Sequence, residues 1–251
     1  MITKYLLSFL AVANVALCNK DAPQLQERPE WLLTCNRMDP NADNCFKKLF
    51  EHTFPYLAKG IPEIGVPHFE PLHIDKVSVS RGSGSLNLQG GFQNLIVHGP
   101  SNTTVRRANL DMEKKVLEFD LDIPRLRINA QYNLKGQILL LPIVGSGDVA
   151  MTLKNVKTRV VTKFTLQNLP EEAIHIDEMR VTFIVGGLRI HLDNLFNGNK
   201  VLSASLNMFL NQNAHDVLAE LKTDLEHGLE AIFTVLWNKL FNKMPLKLWL
   251  L

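Results

Sequence analysis

The chain has 251 residues, 46% hydrophobic and 21% charged, with 14 Gly and 12 Pro, a globular usage that excludes disorder, collagen repeats and coiled coil for the whole. Its net charge of +2, from 27 Lys+Arg against 25 Asp+Glu, lacks the clustered basic face a nucleic-acid partner needs. No uninterrupted apolar run reaches the roughly 18 residues of a membrane-spanning helix.

Residues 1–18 predict a secretory signal peptide: Lys4 is followed by an apolar stretch from Tyr5 to Leu17, with small residues Ala16 and Cys18 at the cleavage site. That leaves 19–251 as one domain. Cysteine counting agrees with export. With Cys18 at the edge of the signal, Cys35 and Cys45 remain as an even pair, which an oxidising compartment should join. The sequon Asn102-Thr103-Thr104, in a polar stretch after Gly99-Pro100, makes Asn102 a candidate glycosylation site.

Residues 19–34 read as polar and irregular. Asp39-Pro40 marks a helix start; Cys45, Phe46, Leu49, Phe50 and Leu57 share a face, Pro55 bends or ends the helix, and Gly60 stops it. The proline-rich segment 60–72 predicts an extended connector. From Ile74 to Leu192 the hydrophobic period is two: Leu117 to Ile123, Leu126 to Leu140, Val149 to Leu153 and Met179 to Val185 each hold one parity. This is antiparallel sheet with one buried and one wet face. Such long strands must curl, with bends at Gly90-Gly91, Gly136 and Gly186-Gly187. A long amphipathic helix is predicted over 213–243, its stripe running Leu218, Leu221, Leu225, Leu229, Ile232, Leu236, Leu240. The pattern therefore reads as α+β: a curved antiparallel sheet rolled around one long C-terminal helix.

Catalytic signatures do not stand out. G-x-S-x-G, H-E-x-x-H, Walker A and G-x-G-x-x-G are missing from the sequence, and neither a metal nor a cofactor is called for. What is abundant is inward apolar surface, and where sheet and helix do not meet, a channel for a long hydrophobic molecule would remain. Candidate lining residues are Phe54, Leu57, Ile61 and Phe69 near the first helix; Ile128, Tyr132, Leu134, Phe164 and Phe183 from the sheet; and Phe209, Leu218, Leu225, Phe233 and Trp237 near the C-terminus. Tyr132 is the candidate polar anchor, since a buried phenol needs a partner that a ligand oxygen would supply. Two other readings stay open: an esterase or isomerase acting on a lipid, and a membrane-surface lipid transfer protein whose exposed tip is Pro245–Leu251.

Four segments carry a resemblance: LLTCNRMDPNADNCFKKLFEHTFPYLAKGIPEIGVPHFEPL (32–72), FQNLIVHG (92–99), LDIPRLRINAQYNLKGQILLLPIVGSGDV (121–149) and LDNLFNGNKVLSASLNMFLNQN (192–213). In order and spacing they resemble the insect takeout and hemolymph juvenile-hormone-binding family, the takeout-like members most closely. The resemblance implies a long helix wrapped in a strongly curved antiparallel sheet enclosing an apolar tunnel, like the lipid-binding modules of bactericidal/permeability-increasing proteins. It implies non-catalytic carriage of a small hydrophobic ligand, a terpenoid such as juvenile hormone or a fatty acid, in extracellular fluid such as hemolymph, without stable membrane insertion. It also implies the Cys35–Cys45 disulfide and links to circadian, feeding or chemosensory physiology.

Overall fold

The computed structural model describes residues 23–83, 86–138, 141–168 and 170–251; the predicted signal segment 1–18, with Cys18, lies outside the described residues. Three helices, α1 (Ala42–Lys59), α2 (Lys200–Gln212) and α3 (Ala214–Phe241), accompany six strands: β1 (Leu72–Ser83), β2 (Leu86–His98), β3 (Thr104–Asp111), β4 (Val116–Ile138), β5 (Leu141–Asn168) and β6 (Glu172–Leu192). The strands form one antiparallel sheet in the order β1-β2-β4-β5-β6, and β3 pairs with the first half of β4. The fold is an α+β super-roll, and its curl follows from residue rise. β5 and α3 each have 28 residues, but the strand would extend roughly 90 Å and the helix only about 42 Å. A strand twice as long as the helix beside it must coil around it.

A crease organises that coiling. Ile123 pairs with Val156 and Arg125 with Lys154, while Lys154 pairs with Gly187 and Val156 with Val185. Pro124, Asn155 and Gly186, one residue in each of three neighbouring strands, thus lie in a line without ladder pairs. Proline has no N–H to give there, Asn155 sits at φ 51°, and a side chain at Gly186 would meet the Asn155 Cβ at 3.0 Å. Across this line the buried parity changes: Leu117 and Phe119 face inward before it in β4, and Ala130, Tyr132 and Leu134 after it. In β6 the line falls at the predicted Gly186-Gly187 bend.

At one end, α1 covers β3 and the start of β4. Phe50 meets Phe119 edge-on at 4.5 Å, and Asn109 Nδ2 donates to Asp43 Oδ1 at 2.8 Å. The helix continues through Pro55 to Lys59 and ends at Gly60. The segment 19–34, read as irregular, contributes core where it is described: Trp31 and Leu32 are buried, and the buried Gln24 side chain donates to the carbonyls of Glu171 and Asn242. The C-terminal segment folds back onto this end. Cys35 N–H donates to Trp249 O at 2.8 Å, and Leu251 N–H returns to Cys35 O at 2.8 Å; Trp249 is fully buried. An exposed membrane tip at Pro245–Leu251 is therefore corrected: Leu246, Leu248, Trp249 and Leu250 join the apolar cluster beneath α1, and Lys247 and Leu251 are the exposed residues of the segment.

Cys35 and Cys45 are disulfide-bonded, with Cα atoms 5.7 Å apart. The bond ties α1 to the strand-like segment that pairs with the C-terminus. Cys45→Ser should lower stability by about 2–3 kcal/mol, the loop-closure entropy for a ten-residue separation. Denaturant midpoints of the two proteins read this directly, and an unchanged midpoint would remove the bond from the stabilising framework.

Candidate functional site

Asn side chains and carboxylates place the helices against the sheet. β6 is an edge strand, and such an edge exposes unpaired N–H and C=O groups. From α2, Asn207 Oδ1 accepts from Leu192 N–H and its Nδ2 donates to Leu192 O, both at 2.9 Å. Asn211 does the same at Ile190, at 3.1 and 2.7 Å. From α3, Glu226 and Glu230 accept from the N–H groups of Phe183 and Val181 at 3.2 and 3.1 Å, and Asn238 brackets Ile176 at 2.7 and 2.9 Å. The helices thus replace a missing neighbour strand. They lie along the rim of the roll, and the apolar stripe of α3 turns toward its concave face.

α2 was not part of the predicted helix. The helix expected over 213–243 is α3, and α2 precedes it almost without a break, with Asn213 at φ −110°, ψ 26° between them. Asn207 and Asn211 stand where the inward stripe would be apolar, and they hid it.

The interior is unevenly filled. A large buried cluster at the α1 end includes Ile61, Phe164 and Trp249, with Phe54, Leu57, Phe233 and Trp237 packed against it. A second, at the α2 end, includes Tyr132, Leu134, Leu206 and Ile232, with Ile128 and Phe209 beside it. Between them the only cluster among the described residues has just Val156, Phe183 and Val185 fully buried, ringed by half-buried side chains such as Leu126, Leu153 and Leu218. Leu225 lies in the same middle stretch. It shares a helical face with Leu218 and Ile232, seven residues to either side, yet it belongs to none of the clusters and is 38% exposed. Three residues on, a Cβ built at the half-buried Gly228 would have no atom within 4 Å. The inward face of α3 therefore passes over open space at Leu225–Gly228, with apolar packing at both ends.

Several predicted lining residues are placed differently. Ile61 and Phe164 are buried in the α1-end cluster, and Phe54 and Phe69 pack edge-on at 6.1 Å. Trp237 is held between Phe119 at 4.8 Å and Phe241 at 5.8 Å. These rings close an end of the roll. Leu134 is likewise sealed in the α2-end cluster. The Tyr132 hydroxyl, expected to anchor a ligand oxygen, donates to the Asp193 carbonyl. Burial, aided by the Asp193 charge, pushes the phenol up to about 12, so it stays protonated and committed to that bond. A side chain at Gly145 would approach the same hydroxyl to 2.9 Å. Phe183, Leu218 and Leu225 are the predicted residues that reach the loosely filled middle.

Two surface grooves, of about 610 and 600 Å³, lie outside this interior. One runs between α2 and the end of β6, past Met208 and Asn211; the other crosses the outer sheet face at Gly90, Gly91 and Asn133. The sequon turn is separately braced. Glu70 accepts from the N–H groups of Gly99 and Ser101 at 3.0 Å. Burial favours protonation of its carboxyl, but those two donors and His98 outweigh it and hold the pKa below the usual value. Asn102 is exposed on this turn.

Fold and site together define a class: a super-roll whose long helix and concave sheet enclose an apolar interior. The chain belongs to the haemolymph juvenile hormone binding protein family, whose model matches residues 8–251. It is similar to Takeout 1 of Epiphyas postvittana, with 28% identity and a TM-score of 0.77 over 87% of this chain and 99% of that one. It is also similar to the circadian clock-controlled protein daywake. The Drosophila yakuba protein is 24% identical over 212 residues, covering 81% of this chain and 82% of that one; the Drosophila melanogaster protein is 24% identical over 226 residues, covering 86% of each. The family is one of hydrophobic-ligand binders and not of enzymes.

Asn207→Leu should cost about 2–4 kcal/mol, because it leaves both polar groups of Leu192 unpaired; thermal unfolding measures it. Tyr132→Phe should cost about 1 kcal/mol and leave the affinity for an apolar probe unchanged. Weaker probe binding would return Tyr132 to the ligand wall.

Proposed function

We propose that this protein is a secreted, non-catalytic carrier of a small hydrophobic ligand, a terpenoid such as juvenile hormone or a fatty-acid-like lipid, held between α3 and the concave sheet. The observation that carries this reading is the open space at Leu225–Gly228 on the inward face of α3. The stripe from Leu218 to Leu236 carries no ionisable side chain. Arg125 and Arg127 are exposed on the outer face. Affinity then comes from apolar area removed from water, about 25 cal/mol per Å² before the costs of association. Export and a glycan at Asn102 belong to this reading, and peptide-N-glycosidase should lower the mass of the secreted protein. The names of the daywake relatives make circadian expression the first physiological context to examine.

The test is displacement of a fluorescent apolar probe from wild-type protein and from Gly228→Phe. A ring at 228 fills the open space and removes roughly 60 Å² of ligand contact, so affinity should fall about tenfold. Gly228→Ala is the fold control and should gain about 0.5–1 kcal/mol from helix propensity. Matched ester and free-acid ligands should compete alike from mildly acidic to mildly alkaline pH. Unchanged affinity in Gly228→Phe would move the ligand elsewhere, and turnover of the ester would replace the carrier with an enzyme.

A further inference from the structure

The small net charge of the chain averages over an uneven distribution. Past the crease, Leu126 and Ile128 in β4, Met151 and Leu153 in β5, and Leu188 and Ile190 in β6 pack against the inner clusters. Strand alternation then turns Arg125, Arg127, Thr152, Lys154 and Arg189 to the outer face, and the four cations are exposed. Arg125 stands directly opposite Lys154, and Arg127 and Arg189 flank Thr152 from the two neighbouring strands. Like charges directly opposite one another destabilise a sheet. On the other side of the crease the register sets unlike charges together: Asp122 is opposite Lys157, Asp120 opposite Arg159, and Glu178 opposite Lys163.

The acids that border the four cations on the sheet are engaged elsewhere. Arg106 holds Asp122. Glu70 accepts from the N–H groups of Gly99 and Ser101 and faces His98 at 3.6 Å. Asp193 holds His191 at 3.0 Å, and Asp148 lies four residues along β5 from Thr152, about 13 Å away. Among the described residues, none of the four cations is paired with a carboxylate.

The Arg127–Arg189 row spans about 10 Å and lies about 7 Å from the Arg125–Lys154 row. A ligand that neutralises both rows carries several anionic groups. The groove beside α2 leads into this field, over Ala150 and Thr152 and past Arg189, a shape that suits an extended chain. Hydroxyl and amide groups lie between and beside the cations, from Thr152, Asn129 and Asn155. Ile184 and Met208, exposed at the margins, stand singly on different elements, whereas a bilayer or a protein hot spot asks for an apolar cluster. Single-stranded nucleic acid asks for stacking rings, and 125–131, 150–155 and 186–191 contain no Phe, Tyr or Trp. Guanidinium forks match the oxygens of sulfate and carboxylate groups. We propose that this outer face binds a sulfated polysaccharide, with one sulfate bracketed by Arg127 and Arg189 over Thr152 and another held by Arg125 and Lys154. The bound sulfates offset the repulsion within the Arg125–Lys154 pair. The site lies across the sheet from the apolar interior. It shares only the extracellular setting with the carrier reading, and it would retain the loaded carrier on a sulfated surface without occupying the ligand space.

Titration with heparin over a series of salt concentrations tests it. Wild-type protein should bind, and affinity should fall as salt rises. Arg127→Gln with Arg189→Gln should weaken binding about tenfold or more and flatten the salt dependence, since fewer counterions are released. Lys48→Gln with Lys59→Gln, at exposed positions on α1, makes the same change in net charge and should leave affinity within about twofold. Desulfated heparin should bind wild-type protein about tenfold more weakly or worse. Displacement of the apolar probe should be alike in all these proteins; if it fails in the wild type, the carrier reading falls, whatever heparin shows. Absence of heparin binding, an equal loss in the α1 variant, or equal affinity for desulfated heparin overturns the proposal. So does equally tight binding of phosphatidylserine vesicles, which would make the face a membrane contact, or of duplex DNA, which would reduce it to charge alone.

Discussion

The unpaired edge of β6 is the constraint on which the rest of this molecule depends. A sheet this long ends in a row of backbone donors and acceptors, and burying them unmet costs about 1–3 kcal/mol each. Asn207, Asn211, Glu226, Glu230 and Asn238 meet them from α2 and α3. Polar side chains can do this only if the helices run beside the strand, not across the sheet. That geometry sets how the apolar stripe of α3 is aimed, and it holds the helix at the rim, where apolar contact alone would draw it onto the sheet. The interior stays partly open because the helices are held by their polar flank.

The two ends give the roll its rigidity and the middle its capacity. At the α1 end, Phe50, Phe119, Trp237 and Phe241 interlock, and the disulfide and the Trp249 segment lock the helix above them. At the other end, Leu206, Leu210 and Ile232 seal against β4 and β5. Stability comes from close-packed regions, so the sparse stretch around Phe183, Leu218 and Leu225 is tolerated between them. A binding protein needs that division, since a uniformly packed core has no volume to offer.

Much of this was legible in the residues. Period-two runs marked the strands, and the spacing of Leu218 to Leu240 marked α3. The super-roll was readable from these two patterns together, and the Cys35–Cys45 pair from counting. The site was less legible, because parity says which way a side chain points and not what it meets there. Phe164 and Leu134 were correctly inward and turned out sealed. Tyr132 was correctly buried, but its partner is the Asp193 carbonyl, sixty-one positions away. α2 was missed because its inward asparagines break the apolar period, and their function depends on a strand edge that the local sequence does not announce. Gly228 reads as an imperfection in a helix until its missing neighbours are known.

The crease at Pro124, Asn155 and Gly186 bears on how such proteins diversify. In an unbroken strand, gaining or losing one residue turns every side chain beyond it to the opposite face. Here the inward sets on the two sides of the crease already differ in parity, and unpaired residues separate them. A slip can be absorbed at that line without inverting the far half. Each half of the wall is thus free to change its inward side chains almost separately, without rebuilding the close-packed ends of the roll.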